Sequence, residues 1–239
     1  MPTTLRPTIA DAVRSVFAQR FEGTVQILVG ADLSAGDASR LIDDIGRSVP
    51  DSHSVLFFYP GYSTSQRHGG MHAAHDGGAL RTILSYLANS RYVAYLDDEN
   101  WWSDDHLSSL YHVLSAGADW AYASRWYVHP ASRKPVCRDE WESVGPARGF
   151  FRSTGWVDPN CLALDKIACE AVLRWWAIPV RNSPKAMDGD RNVFRFLSTE
   201  FNGVPTGKFT VFYQLDETDP MHPRRLNWIG PQQYRSCSG

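Results

Sequence analysis

Three adjacent carboxylates, Asp97-Asp98-Glu99, follow directly on the apolar run Tyr92-Val93-Ala94-Tyr95-Leu96. Like charges this close repel, so the cluster needs a compensating cation or strong solvation. Oxygen donors suit magnesium or manganese, hard ions that keep several waters and bridge to substrate phosphates. A divalent metal held beside a phosphorylated ligand is one reading; a solvated acidic turn leading into the next helix is the other. Two further acids lie in Met187-Asp188-Gly189-Asp190-Arg191, after the turn-like Ser183-Pro184-Lys185. An aspartate at a helix start either caps the helix or points a proton-accepting carboxylate into a cleft. Near the end, Asp219-Pro220-Met221-His222-Pro223-Arg224-Arg225 is proline-broken and basic. As a loop over a diphosphate it would offer His222 to a metal and Arg224 or Arg225 to a leaving group's charge. A solvated tail is the plainer alternative.

The elements that must position these residues show as alternating strand-length apolar runs and amphipathic stretches. A helix is expected over 8–19, with Ile9, Ala12, Val13, Val16 and Phe17 on one face and Thr8 and Asp11 forming a capping-box-like start. Val25–Val29 reads as a buried strand, followed by a helix with Leu41, Ile42, Ile45 and Val49 inward and a second buried strand over Val55–Tyr59. After a polar loop over 62–70 come a helix at 71–88, the strand Tyr92–Leu96, a helix that Ser103 can cap, and a strand over 120–124. Strand and helix alternate, which predicts a parallel, doubly wound α/β sheet. In such sheets ligands bind beyond the carboxyl ends of the strands, where Asp97, Asp98 and Glu99 fall. Beyond residue 125 the order loosens, with strands expected near 161–164 and 209–213 and helices near 166–176 and 188–198. The opening Met1-Pro2-Thr3-Thr4 has no apolar strand before it, so either the sheet lacks a first strand or the start lies upstream.

Bulk properties narrow the classes. The 239 residues carry a formal net charge of -2, which argues against a protein devoted to a nucleic-acid backbone. Four widely spaced cysteines, Cys137, Cys161, Cys169 and Cys237, form no C-x-x-C pair and read as core or incidental thiols. No apolar run reaches membrane-span length and no signal peptide opens the chain, so a cytoplasmic protein without a transmembrane segment is expected. The nine tryptophans supply core volume, and Trp101 and Trp102 could also face a sugar ring.

The segment from Tyr92 to Trp102 resembles the apolar strand and D-x-D of family-two glycosyltransferases. Four other segments resemble that family in order over residues 2–125. Pro2-Thr3-Thr4-Leu5-Arg6-Pro7 is similar to its P-T-x-x-R opening, and Ser15-Val16-Phe17-Ala18-Gln19 to its S-V-x-x-Q. Val25 to Asp32 is similar to its second strand, which ends in an aspartate near the nucleotide base. Ala73-Ala74-His75-Asp76-Gly77-Gly78 stands where it shows A-x-R-N-x-G. The resemblance implies a GT-A-like, mostly parallel sheet flanked by helices: one continuous domain with a nucleotide-sugar half over 1–125 and a less regular acceptor half over 126–239, ending in a flexible tail. It implies an inverting, metal-dependent (Mn²⁺ or Mg²⁺) transfer from a nucleotide-diphosphate sugar, UDP-sugar favoured, to an acceptor hydroxyl. Thr3, Arg6 and Asp32 would line the nucleotide pocket, His75 and Asp76 would stand at the phosphate or base, and Asp97, Asp98 and Glu99 would hold the metal. Asp188 takes the position of the general base, with Asp190 as its neighbour. Glu99 replaces the second aspartate of D-x-D, His75-Asp76 replace Arg-Asn, and Met187 replaces a glutamate. A nucleotidyltransferase, or a non-catalytic nucleotide-sugar or carbohydrate-binding module, is the alternative.

Overall fold

The computed structural model of the protein describes residues 1–33, 39–73, 77–179 and 189–238. His75, Asp76 and Asp188 lie outside the described residues. The first strand is only a stub, β1 (Pro2–Thr3), and helix α1 (Ile9–Phe17) follows it. Ile9, Ala12, Val13 and Val16 are buried, as the apolar spacing requires. The expected capping box does not form. Thr8 makes no side-chain cap, and Asp11 instead pairs with Arg14 at 3.1 Å and with Arg133 at 2.8 Å.

Strands β2 (Val25–Ala31) and β3 (His53–Phe58) run parallel, and β1 pairs with β2 through Pro2 opposite Gly30 and Thr3 opposite Ala31. These three strands form the parallel part of the fold. Strand β3 is its outer edge, so its residues alternate between covered and exposed, and Leu56 is 45% exposed where a buried strand was expected. Between β2 and β3 lies α2 (Ser39–Gly46), which buries Ile45 but leaves Ile42 exposed, although both were expected on its inward face with Leu41 and Val49.

Helix α3 (Gly78–Leu87) begins later than expected, because Gly77 adopts a left-handed backbone with φ 73°. A Cβ at Gly77 would stand 2.4 Å from Pro2, so the glycine lets this helix start press against β1. After β4 (Tyr92–Ala94) come β5 (Trp101–Trp102), α4 (His106–Ser115), β6 (Trp120–Val128), β7 (Pro135–Arg138) and β8 (Leu162–Asp165). The chain continues through α5 (Glu170–Leu173), α6 (Gly189–Glu200) and β9 (Gly203–Gln214) to α7 (His222–Ile229) and α8 (Pro231–Ser236). Ser103 does not cap α4; its hydroxyl bonds the side chain of Asp105 at 2.7 Å.

The second sheet has the order β4-β8-β6-β9-β5, with β7 on β6. It is mixed rather than mostly parallel, which corrects the single doubly wound sheet. β8 runs antiparallel to both β4 and β6, whereas β6 and β9 are parallel. Apolar periodicity carries no strand direction, and the chain enters β8 after a long excursion through residues 139–161. The main core joins α1, β2, the segment just after β4, β6, β8 and α6 through Val13, Val29, Leu96, Trp120, Leu164 and Leu197.

The last segment forms two helices. Pro223 and Pro231 occupy helix first turns, where a missing N–H costs nothing. Ile229 packs on Tyr127, Val136 and Leu215, so α7 is part of the body of the protein. No described helix is long and apolar enough to cross a membrane, and the four cysteines are free thiols.

Candidate active site at the ends of β1 and β4

Strands β1 and β4 end side by side, and the chain beyond each folds toward the other. Thr3 Oγ1 donates to Asp98 Oδ2 at 2.6 Å and accepts the Leu5 N–H at 2.8 Å. Leu5 has φ 61°, left-handed backbone that costs a branched residue energy and tends to persist at functional sites. The turn brings Arg6 back over the acids. Its guanidinium contacts Glu99 and stands 3.5 Å from Asp98 Oδ1. Asp98 and Glu99 thus share one cationic nitrogen.

Asp97 faces a different set of partners. Arg81 from α3 pairs with its Oδ1. Asn160 grips it twice: Asn160 Oδ1 accepts the Asp97 N–H at 2.6 Å, and Asn160 Nδ2 donates to Asp97 Oδ2 at 2.9 Å. Asn160 is fixed by Asp158 Oδ1, which accepts its N–H at 2.8 Å and its side-chain amide at 2.6 Å. Asp158 in turn pairs with Arg125, a fully buried guanidinium also held by Asp139 at 2.8 Å and Glu142 at 2.7 Å. Tyr213 closes this cage, its ring centroid 4.0 Å from the guanidinium carbon.

Glu99 is the electrostatically perturbed member of the cluster. Burial, then the charge of Asp97 and the Asp98 side chain, push its carboxyl up to about 9 against the opposing pull of Arg6. Burial outweighs the pull of Arg6, so Glu99 keeps its proton to a higher pH than an ordinary carboxyl.

Asp32 lies at the end of β2 and its N–H donates to the Thr3 carbonyl at 2.8 Å, which joins it to the β1 turn. Its Oδ1 accepts from Ser63 Oγ at 3.2 Å, from Thr64 N–H at 2.5 Å and from Thr64 Oγ1 at 3.0 Å, tying down the loop after β3. Asp190, in the first turn of α6, is desolvated, and burial raises its carboxyl to about 6 against the charge of Arg191. Arg81 and Asp158 also act on it, which places it on the Asp97 side of the cluster.

The basic segment near the end divides. Arg225 is spent inside the fold, on Glu142 at 2.7 and 3.0 Å and on Asp219 at 2.6 Å, so it does not serve a leaving group. Arg224 stands 5.5 Å from the Phe150 ring. His222 packs edge-on to Tyr234, and its buried Nδ1 has no hydrogen-bond partner among the described residues. Trp102 is buried with its indole N–H on the Asn160 carbonyl at 2.9 Å, and Trp101 stacks on Phe212, so both tryptophans have packing roles.

Among the described residues no group of three or more His, Cys, Asp or Glu side chains is arranged to hold a metal ion. That is compatible with magnesium or manganese, which take one or two carboxylates and complete their shell with water and substrate phosphates. The nitrogen shared by Asp98 and Glu99 marks a point where a cation is already stabilised, and the raised Glu99 carboxyl signals unmet positive charge. The donor set fits such an ion.

The sequence reading overlooked Arg81, Asn160 and Asp158. Arg81 is the one charged residue among the buried residues described in α3, beside Ala79, Leu80 and Leu84, a cue that it has a buried partner. Asp158-Pro159-Asn160 is a polar segment immediately before the apolar Cys161–Leu164, the reverse of the order at Asp97, which follows its apolar run.

No protein-family model matches the chain, and no curated protein matches its sequence. Solved structures do match its fold. The structure of S. aureus TarS 1-349 in complex with UDP-GlcNAc aligns with a TM-score of 0.63 at 13% identity, over 99% of this chain and 62% of that one. TarS 1-349 without ligand gives 0.61 at 13% identity, over 89% and 58%. TarS 1-349 in complex with UDP gives 0.60 at 12% identity, over 95% and 62%. The chain therefore spans about three fifths of the TarS chains it matches, and at this identity the likeness establishes a shared α/β fold.

Proposed function

We propose that this protein is a glycosyltransferase that moves a sugar from a nucleoside-diphosphate donor, UDP-sugar favoured, to an acceptor hydroxyl, with inversion and with Mn²⁺ or Mg²⁺ bound. The observation that carries the proposal is the convergence of Thr3, Arg6, Asp98 and Glu99 where β1 and β4 end, the position at which open α/β sheets bind nucleotides. The fold likeness to a protein solved with UDP-GlcNAc supports it.

In this reading Asp98 and an ionised Glu99 would hold the ion, and Arg6 would be available to a phosphate oxygen. The ion would supply positive charge to the departing diphosphate. Asn160 and Arg81 keep Asp97 in place, so the cluster is aligned before the donor arrives. The acceptor oxygen attacks the anomeric carbon as the bond to the diphosphate oxygen breaks, a single displacement that inverts configuration. A carboxylate accepts the acceptor's proton. Asp190 suits this role: its carboxyl, raised to about 6, is mostly ionised at neutral pH yet basic enough to take a proton. Asp188 competes for the role.

The test is incubation with a panel of nucleotide sugars, with and without Mn²⁺. Metal-dependent release of nucleoside diphosphate is expected. Release of pyrophosphate from a sugar phosphate and a nucleoside triphosphate would identify a nucleotidyltransferase instead, and donor binding without turnover in any acceptor mixture would identify a binding module.

A further inference from the structure

The long excursion between β7 and β8 narrows to a neck where Gly145 and Trp156 exchange both backbone hydrogen bonds, at 3.0 and 3.2 Å. From Ser143 to Trp156 the sequence has two arginines, Arg148 and Arg152, and no acid, in a chain of formal net charge -2. Trp156 is 5% exposed, and its indole N–H has no hydrogen-bond partner among the described residues. Two guanidinium groups lie against its ring, Arg191 at 4.2 Å and Arg125 at 5.4 Å. They are differently provided for. Arg125 has three carboxylates, Asp139, Glu142 and Asp158. Arg191 has none: among the described residues its guanidinium makes no ion pair and no hydrogen bond.

The neighbouring Asp190 does not fill the gap. Its Oδ1 accepts the backbone N–H of Arg191 at 2.7 Å, while the Arg191 guanidinium lies over the rings of Phe151, at 3.9 Å, and Trp156. A partly buried guanidinium with its N–H donors unused is unfavourable. Burial draws the Arg191 pKa down, and the nearby acids do not make up the difference. The two aromatic contacts return about 0.5–2 kcal/mol each, but they use the cationic face and leave the fork of donors open. Arg224 repeats the arrangement. It stands over Phe150, whose ring centroid is 4.9 Å from that of Phe151, and it too makes no ion pair among the described residues. A neutral sugar would want the ring faces over which these guanidinium groups lie. An anion with several acceptor oxygens would answer both the charge and the open donors.

We propose that Arg191, with the Trp156 indole N–H, binds an anionic group of the acceptor, a phosphate or a carboxylate, and so selects acceptors that carry one near the hydroxyl to be glycosylated. It rests on the transferase reading and names the chemistry of the acceptor. Asp190 is the group proposed to take the acceptor's proton, and Arg191 is the next residue, so an anion seated here belongs to the acceptor. The donor's diphosphate has Arg6. Exposed Arg148 and Arg152, in the acid-free loop, add to the positive field that an anionic acceptor would enter.

Glucose 6-phosphate, glucuronic acid and glucose present a phosphate, a carboxylate and no charge on one kind of ring. Each is titrated into isotope-labelled protein without donor, and the Arg191 Nε–H and Trp156 Nε1–H resonances are followed, assigned with Arg191→Gln and Trp156→Phe. At least one charged sugar should shift both resonances along a saturating curve while glucose shifts neither, and the tighter of the two identifies the group. Arg191→Gln should weaken that binding by about tenfold or more, the size of one charge-assisted hydrogen bond. Arg14→Gln, on the exposed side of α1, should leave it unchanged, and calorimetric UDP affinity with Mn²⁺ should be the same in Arg191→Gln as in the unaltered protein. No shift with either charged sugar, an equal response to glucose, or equal losses in the two arginine variants would overturn the proposal. So would any loss of UDP affinity in Arg191→Gln, which would assign this arginine to the donor. If Arg191→Gln does not fold, the shifts in the unaltered protein still decide. Because no donor is present, failure of every nucleotide sugar to turn over leaves these titrations readable, and failure of the charged sugars to bind leaves the transferase standing.

Discussion

Replacing Arg125 with methionine removes a fully buried cation behind the site while keeping an unbranched side chain. The three acids around it are not equally exposed to the loss. Asp139 retains the N–H groups of Trp141, Glu142 and Ser143 at 3.0, 2.7 and 3.0 Å. Glu142 retains Arg225, two of whose nitrogens lie at 2.7 and 3.0 Å. Among the described residues Asp158 has no other ion-pair partner, and burial already raises its carboxyl. The cost is therefore that of one orphaned buried carboxylate, about 3–5 kcal/mol. For a domain of this size each kcal/mol moves the melting temperature by about 2–4 °C, so a fall of roughly 6–20 °C is expected. Thermal and urea melts followed by circular dichroism at pH 7 measure it. Because Asp158 positions Asn160, and Asn160 holds Asp97, UDP affinity should weaken as well. The double variant Arg125→Met/Asp158→Asn should recover part of the stability, since a neutral amide needs no counter-ion. A loss below about 1 kcal/mol, or no recovery in the double variant, would refute the reasoning.

Two further outcomes follow from the charged groups. Glu99 is raised from 4.5 to about 9 in the folded state, so the unfolded chain gives up this proton first and metal-free stability falls as pH rises from 4.5 toward 9. The contribution is at most about 1.4 kcal/mol per pH unit, and Glu99→Gln should flatten that slope in urea melts between pH 5 and 8; parallel slopes would count against a perturbed Glu99. For Asp190, kcat/KM should rise with pH through about 6 and then level off, and Asp190→Asn should lower kcat by roughly 10²–10⁴ with nucleotide binding intact. If Asp188→Asn shows that loss and Asp190→Asn does not, the base is Asp188.

What the sequence made legible was set by how local each signal is. Val25–Val29 and Tyr92–Leu96 are apolar runs with a polar stop, and both formed strands whose ends carry Asp32 and Asp97. Amphipathic spacing located α1 and α6. The reversed direction of β8 was not legible, because a buried strand has the same composition whichever way it runs. Pro2–Thr3 and Trp101–Trp102 are too short for periodicity and exist through ladder bonds to distant segments. The prolines of the final segment suggested a loop, yet Pro223 falls in the first turn of a helix. In the site, the acids were visible as a run of like charge. Their partners were not, since Arg81 and Asn160 lie 16 and 63 residues from Asp97 and meet it only through the fold.

The central claim is that Asp98 and Glu99 hold a divalent metal against a nucleoside diphosphate. Calorimetric titration of UDP into the protein, with and without Mn²⁺, tests it most directly when Asp98→Asn and Glu99→Gln are titrated alongside. The account predicts UDP binding that requires Mn²⁺ in the unaltered protein, proton uptake by the buffer as Glu99 ionises, and loss of the metal-dependent binding in both variants with their far-ultraviolet spectra unchanged. Binding of UDP with the same affinity in the presence of chelator, or metal-dependent binding retained in both variants, would contradict it.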